Sequence, residues 1–153
     1  MGPTYGTLIQ GIDGSLYGAT GGGGANGYGT VFSVTSGGSL TTLHSFNVTD
    51  GAGPYAALTQ ATDGNFYGVT NTGGANRFGT VFNITPGGVL TTIYSFCAQV
   101  NCADGAYPFA GLIQATDGDL YGTTTSGGAN NNGTVFKITL GGSLTTLHKL
   151  HRH

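Results

Sequence analysis

The chain has 153 residues, four Lys/Arg against six acidic residues, and a formal net charge of −2. Four basic side chains cannot cover a phosphate backbone, so nucleic acid is excluded as an expected partner. No apolar run approaches the roughly 18–20 residues of a membrane helix, and eight Tyr with eight Phe argue against a disordered chain.

The first predicted strand is GTLIQGI, ending at Asp13-Gly14, a pair suited to a tight hairpin turn with positive φ. The second runs through SLYGAT, a glycine-rich loop follows, and the third is TVFSVT. Within it Phe32 and Val34 share one face while Ser33 turns to the other. Gly37-Gly38 leads to the fourth strand, SLTTLHSF. The series then recurs: AALTQAT, NFYGVT, TVFNIT and VLTTIYSF, followed by AGLIQAT, DLYGTT, TVFKIT and SLTTLHKL. The spacing is 50 residues and then 54, the extra four falling in CAQVNCADGA. Glycine is abundant (31 residues) and no segment has helical spacing of apolar residues, so the expected class is all-β. We expect one domain over 1–153, made of repeats 1–50, 51–104 and 105–153, each a four-stranded antiparallel sheet. A meander of about 50 residues has the size of a β-propeller blade; three such units also fit a β-trefoil or a β-prism.

The loop GGGGANGYGTVF contains G-x-G-x-x-G at Gly22, Gly24 and Gly27, the spacing of a dinucleotide-binding turn. The other copies read NTGGANRFGTVF and TSGGANNNGTVF, so the spacing exists once. A strand follows each loop, whereas a dinucleotide site needs a helix N-terminus for the phosphates. The loop is expected to be a backbone joint, and no cofactor is expected.

The series Y-G-x-T, G-G-A-N, G-T-V-F-x-I-T-x-G-G, L-T-T-L-x-S-F and D-G-A resembles the GloVer tandem repeat of bacterial proteins, named for Gloeobacter and Verrucomicrobia. The resemblance covers almost the whole chain. It implies long arrays of such repeats on exported proteins with varied surface anchors, and it implies no catalytic activity. This chain departs from that pattern in having three copies and no visible anchor. The opening MGPTYGTLIQ lacks the basic-then-apolar order of a signal peptide, so an exported protein would have lost its signal or carry it on a longer precursor. Low charge with Gly, Thr and Asn richness agrees with an extracellular or cell-surface bacterial location.

Closed propellers use about 4–8 blades, so three leave a ring unfilled. The expected partner is therefore the chain itself, as a homo-oligomer: two copies in a six-bladed ring, or a head-to-tail filament where the stacking does not close. The last unit carries Lys137, Lys149 and Arg152, and charge on a terminal strand discourages edge pairing.

No enzyme is expected. There is no Glu; Asp13, Asp63 and Asp117 occupy hairpin turns, and Asp50 and Asp104 lie in repeated Asp-Gly-Ala loops. Acid–base hydrolysis of a glycoside needs two carboxylates in different environments across one bond. Asp117 and Asp119 lack the remaining ligands of a calcium loop, and no metal is expected. Cys97 and Cys102 lack two further ligands for zinc and are expected to form a local disulfide in an oxidising compartment. His44 and His148 are matched by Tyr94, which argues for packing over chemistry. Gln10, Gln60 and Gln114 recur in the first strand, where satisfying backbone groups is the common use. As the alternative to a structural assembly module, a lectin-like module would bind a glycan through Tyr28, Arg77, Phe78, Asn131 and Asn132. Those loop positions vary among the copies, and an aromatic beside amides can stack on a sugar ring.

Overall fold

The computed structural model of the chain describes residues 8–151. Three open antiparallel sheets follow one another along it. The first holds β1 (Ile9–Gln10), β2 (Leu16–Thr20), β3 (Thr30–Val34) and β4 (Leu40–Ser45). The second holds β5 (Thr59–Gln60), β6 (Phe66–Thr70), β7 (Thr80–Ile84) and β8 (Leu90–Ser95). The third comprises β9 (Ala106–Pro108), β10 (Ile113–Gln114), β11 (Leu120–Ser126), β12 (Thr134–Ile138) and β13 (Leu144–Lys149). The only helical turn among the described residues is a 3₁₀ turn, Val100–Cys102, inside the inserted loop.

The sequence period becomes a register period. Tyr17 faces Ser33, Tyr67 faces Asn83 and Tyr121 faces Lys137. One position later, Gly18, Gly68 and Gly122 face Phe32, Phe82 and Phe136. The glycine is needed because the Phe ring lies across it: a Cβ on Gly68 would stand 2.6 Å from Phe82 Cζ. Between the third and fourth strands of every sheet the register shifts, after Val31, Val81 and Val135, as at a β-bulge.

Both hairpin turns of a sheet are built alike. Gly14 donates its N–H to Gly11 C=O at φ 86°, and Gly38 donates to Thr35 C=O at φ 89°. Each closes a three-residue loop with glycine in the left-handed region, rather than a two-residue turn. The first strands are shorter than expected, two ladder residues each in place of seven; Gly6 and Thr7 lie outside the described residues. In the third sheet two segments share one edge. The far end of β11 is taken by β9, with Thr124 opposite Pro108 and Ser126 opposite Ala106. The matching contact in the second sheet is a single bridge between Ala52 and Thr72. The third sheet therefore has five strands where four were expected.

The glycine-rich loops are joints, and each is followed by a strand. Gly29, Gly79 and Gly133 donate to Gly23, Gly73 and Gly127 C=O, and Asn26 and Asn76 Nδ2 donate to Phe46 and Phe96 C=O. Cys97 and Cys102 form a disulfide across the inserted loop.

Side chains alternate between two faces of each sheet, and both faces of the second sheet are covered. One core gathers Tyr17, Val31 and Phe46 of the first sheet against Phe66, Phe82 and Ile84 of the second. The other gathers Tyr67, Val69 and Phe96 of the second against Leu120, Phe136 and Ile138 of the third.

Candidate functional site

The most elaborated surfaces of the molecule are the contacts between consecutive sheets. The two junctions share most of their interactions, with Leu120 at the second in the place of Phe66 at the first. Tyr17 stacks on Phe66 with centroids 4.0 Å apart. Phe46 meets Phe82 edge-on at 5.4 Å, and Phe96 meets Phe136 edge-on at 5.2 Å. Such tilted pairs set the favourable edge of one ring against the face of the other. The turn glycine of the following sheet abuts the preceding fourth strand. A Cβ on Gly88 would lie 3.0 Å from Leu43 O, and one on Gly142 would lie 2.5 Å from Ile93 O.

A hydrogen bond recurs at each junction. Ile12 N–H donates to Gln60 Oε1 at 3.0 Å, and Thr62 N–H donates to Gln114 Oε1 at 3.0 Å. The same glutamines turn their Nε2 donors to Gly64 and Gly118 C=O. One amide thus ties its own hairpin to the turn of the preceding sheet, the backbone service expected of the repeated Gln.

The aspartates hold turns and loops. Asp13, Asp63 and Asp117 accept from the backbone N–H two residues on. Their second oxygens accept the hydroxyls of Tyr17, Tyr67 and Tyr121 at 2.5–2.6 Å. The phenol bonds hold the Asp13 and Asp117 carboxyls below the usual range. Burial, then the bond to Asp13, pushes the Tyr17 phenol up to about 12. Burial chiefly also raises Tyr67 and Tyr94, while the bond to Asp117 chiefly raises Tyr121. Asp50 bonds His44 Nε2 at 2.7 Å, and buried Asp104 accepts the Tyr94 hydroxyl at 2.5 Å and the Ala98 and Gln99 N–H groups. A His or Tyr on the fourth strand thus anchors the loop that leads to the next sheet. The sequence signal for this was the coupled recurrence of His44 or Tyr94 with Asp six or ten residues on. Asp119 lies 3.9 Å from Lys137 Nζ. Among the described residues no group of three or more His, Cys, Asp and Glu gathers in metal-binding distance.

The loop residues singled out from sequence stand on equivalent loops of three separate sheets. Tyr28 is 45% exposed, its C=O accepting from Gly53 N–H. Phe78, at the matching place, is half-buried and packs on the second core. Its ring lies against Tyr107 at 5.3 Å, and its C=O accepts from Tyr107 N–H. Tyr107 occupies the place of Gly53 and keeps a left-handed φ of 58°. Arg77 is exposed at φ 69°, and Asn131 spends its Oδ1 on Gly127 N–H in its own loop. Asn132 is half-buried. Arg152 lies outside the described residues.

The clearest asymmetry is at the two ends of the series. In the second sheet Leu58, Phe66, Phe82 and Ile84 are buried against the first. Their counterparts in the first sheet face outward: Leu8 is 48% exposed, Leu16, Phe32 and Val34 are only half-buried, and Leu40, in the place of half-buried Leu90, is 63% exposed. The trailing face of the third sheet is open too, with Ile113 66% and Leu147 48% exposed where Ile9 and Leu43 are packed. A shallow cleft of about 290 Å³ lies on that face, lined by Ile113, Tyr121 and Val135. Its place corresponds to Tyr17 and Val31, which the second sheet covers.

No curated protein matches the chain. Among solved structures, that of a protein of unknown function from Dyadobacter fermentans is similar, at 15% identity and a TM-score of 0.55. The match covers 94% of this chain and 53% of that one, so the chain spans about half the length of its solved neighbour. The model of the Gloeobacter/Verrucomicrobia repeat matches residues 2–153. The chain, read through its recurring Y-G-x-T, G-G-A-N and G-T-V-F segments, belongs to the Gloeobacter/Verrucomicrobia repeat family.

Proposed function

We propose that the chain is a non-enzymatic structural module, exported to the cell surface or beyond, whose propeller-blade-like sheets work by stacking on further sheets within or between chains. The observation that carries this reading is the pair of open apolar faces, which repeat the residues buried at the internal junctions. Contiguous exposed apolar surface of this kind marks an interaction site. The disulfide agrees with an oxidising compartment. The employment of Asp13, Asp50, Asp63, Asp104 and Asp117 in turns and loops supports a structural role over acid–base chemistry. Light scattering at micromolar concentration tests the reading: a mass above 15.3 kDa is expected. A stable monomer that leaves both faces bare would end it.

One observation favours a second reading, a lectin-like module. Gly53 leaves Tyr28 uncovered, whereas Tyr107 covers Phe78 at the matching place. An exposed ring on a rigid loop is the element a sugar face stacks on. Binding on a glycan array that is lost in Tyr28→Ala supports this reading, and a blank array removes it.

A further inference from the structure

Building on the stacking reading, we infer that the partner is a second copy of this chain, seated head to tail through both open faces so that two chains close a ring of six sheets. The leading face of the first sheet would pack on the partner's trailing face as the second sheet packs on the first. Leu16 and Phe32 would then meet Tyr121 and Leu150, the counterparts of Tyr17 and Phe46.

The polar groups match as well as the apolar ones. Gln10 already donates Nε2 to Gly14 C=O, as Gln60 does to Gly64. Its Oε1 has no donor among the described residues, while Gln60 and Gln114 each accept one from the preceding turn. The place of Ile12 and Thr62 falls in the third sheet on Thr116, which is exposed and whose N–H has no acceptor among the described residues. One end lacks a donor and the other offers it. Gly38, whose counterparts Gly88 and Gly142 abut the preceding fourth strand, has open space around it. Its matching seat is the backbone at Leu147, which is exposed.

An interface joining two different faces either closes into a ring or runs on as a filament. Closure with two copies is favoured by number: three sheets from each chain make six. Six sheets also fall within the range in which propellers close.

Two variants test the arrangement. Leu8→Lys/Leu40→Lys blocks the leading face, and Ile113→Lys/Leu147→Lys blocks the trailing face; all four side chains are exposed, so each variant should keep the wild-type circular dichroism. Native mass spectrometry of the wild type should give twice 15.3 kDa, unchanged with concentration. Each variant alone should fall to one chain, because every junction of the ring uses one leading and one trailing face. An equimolar mixture should regain the two-chain species through its one intact junction. Mass that grows with concentration would overturn closure and leave stacking standing. A dimer surviving in the trailing-face variant would overturn the head-to-tail order, because leading faces would then be pairing with each other. A monomeric wild type would overturn the inference and the stacking reading together. Should a double variant unfold, Leu40→Lys and Leu147→Lys singly carry the same outcomes.

Discussion

Phe82 and Phe32 occupy the same place in neighbouring sheets, each lying across a glycine of the second strand, yet Phe82 is fully buried and Phe32 is half-exposed. The local backbone, register and glycine contact are shared, so the difference comes from the neighbouring sheet alone. A four-stranded sheet of this size buries one layer of side chains only when another sheet lies on it. Stability here is a sum over junctions more than over sheets, as in other repeat architectures. The second sheet, covered on both sides, is the part of the molecule that this arrangement stabilises most.

The contrast breaks or sharpens under substitution. Phe82→Ala should lower the unfolding free energy by about 3–5 kcal/mol, the range for emptying a packed aromatic site. Phe32→Ala, measured by urea denaturation in the Leu8→Lys/Leu40→Lys background, should cost about 1 kcal/mol or less. Equal losses would show that the sheet and not its neighbour supplies the energy. Next in size is the inserted loop, the only one of the two inter-sheet connections with a disulfide. Reducing Cys97–Cys102 should lower thermal stability by about 2 kcal/mol, the chain-entropy figure for a short closed loop. A Cys97→Ser/Cys102→Ser variant should match the reduced protein, and any further loss would show that the loop does more than constrain the chain.

Smaller again is the cross-sheet glutamine. Gln60→Ala removes the acceptor of Ile12 N–H and should cost about 1 kcal/mol. Gln10→Ala in the same blocked background should change nothing measurable. The last test is titration. The folded Tyr17 phenol stands near 12 against an ordinary 10.0, so the folded state holds the proton more tightly. Its contribution is whole below pH 10, falls between pH 10 and 12, and is gone above. Alkaline unfolding followed by phenolate absorbance should therefore be steeper in the wild type than in Tyr17→Phe. An unchanged slope would show that burial and the Asp13 bond together do not distinguish the folded phenol.

Much of this architecture was legible before any coordinates. Period, turn glycines and the alternation of TVFSVT are local properties, and they place the second, third and fourth strands to within a residue or two. First-strand length in the third sheet was not legible, because the segment just upstream shares the same edge: Ala106–Pro108 pairs with β11 beyond Ile113–Gln114. The glutamine bond was legible as a type of role but not as a partner, since the donor is a main-chain group whose identity leaves no mark in sequence. Among the loop aromatics, Tyr28 and Phe78 look alike in the chain. What separates them is whether Gly53 or Tyr107 sits opposite, a fact of the neighbouring sheet.

The glutamine tie has a consequence for how such chains lengthen. Each internal junction pairs one turn N–H of the sheet before with one glutamine acceptor of the sheet after. Duplicating or deleting a whole unit therefore leaves donors and acceptors in balance, whereas a break inside a unit strands one of them. Copy number can drift between descendants at little energetic penalty, provided the genetic event respects the period.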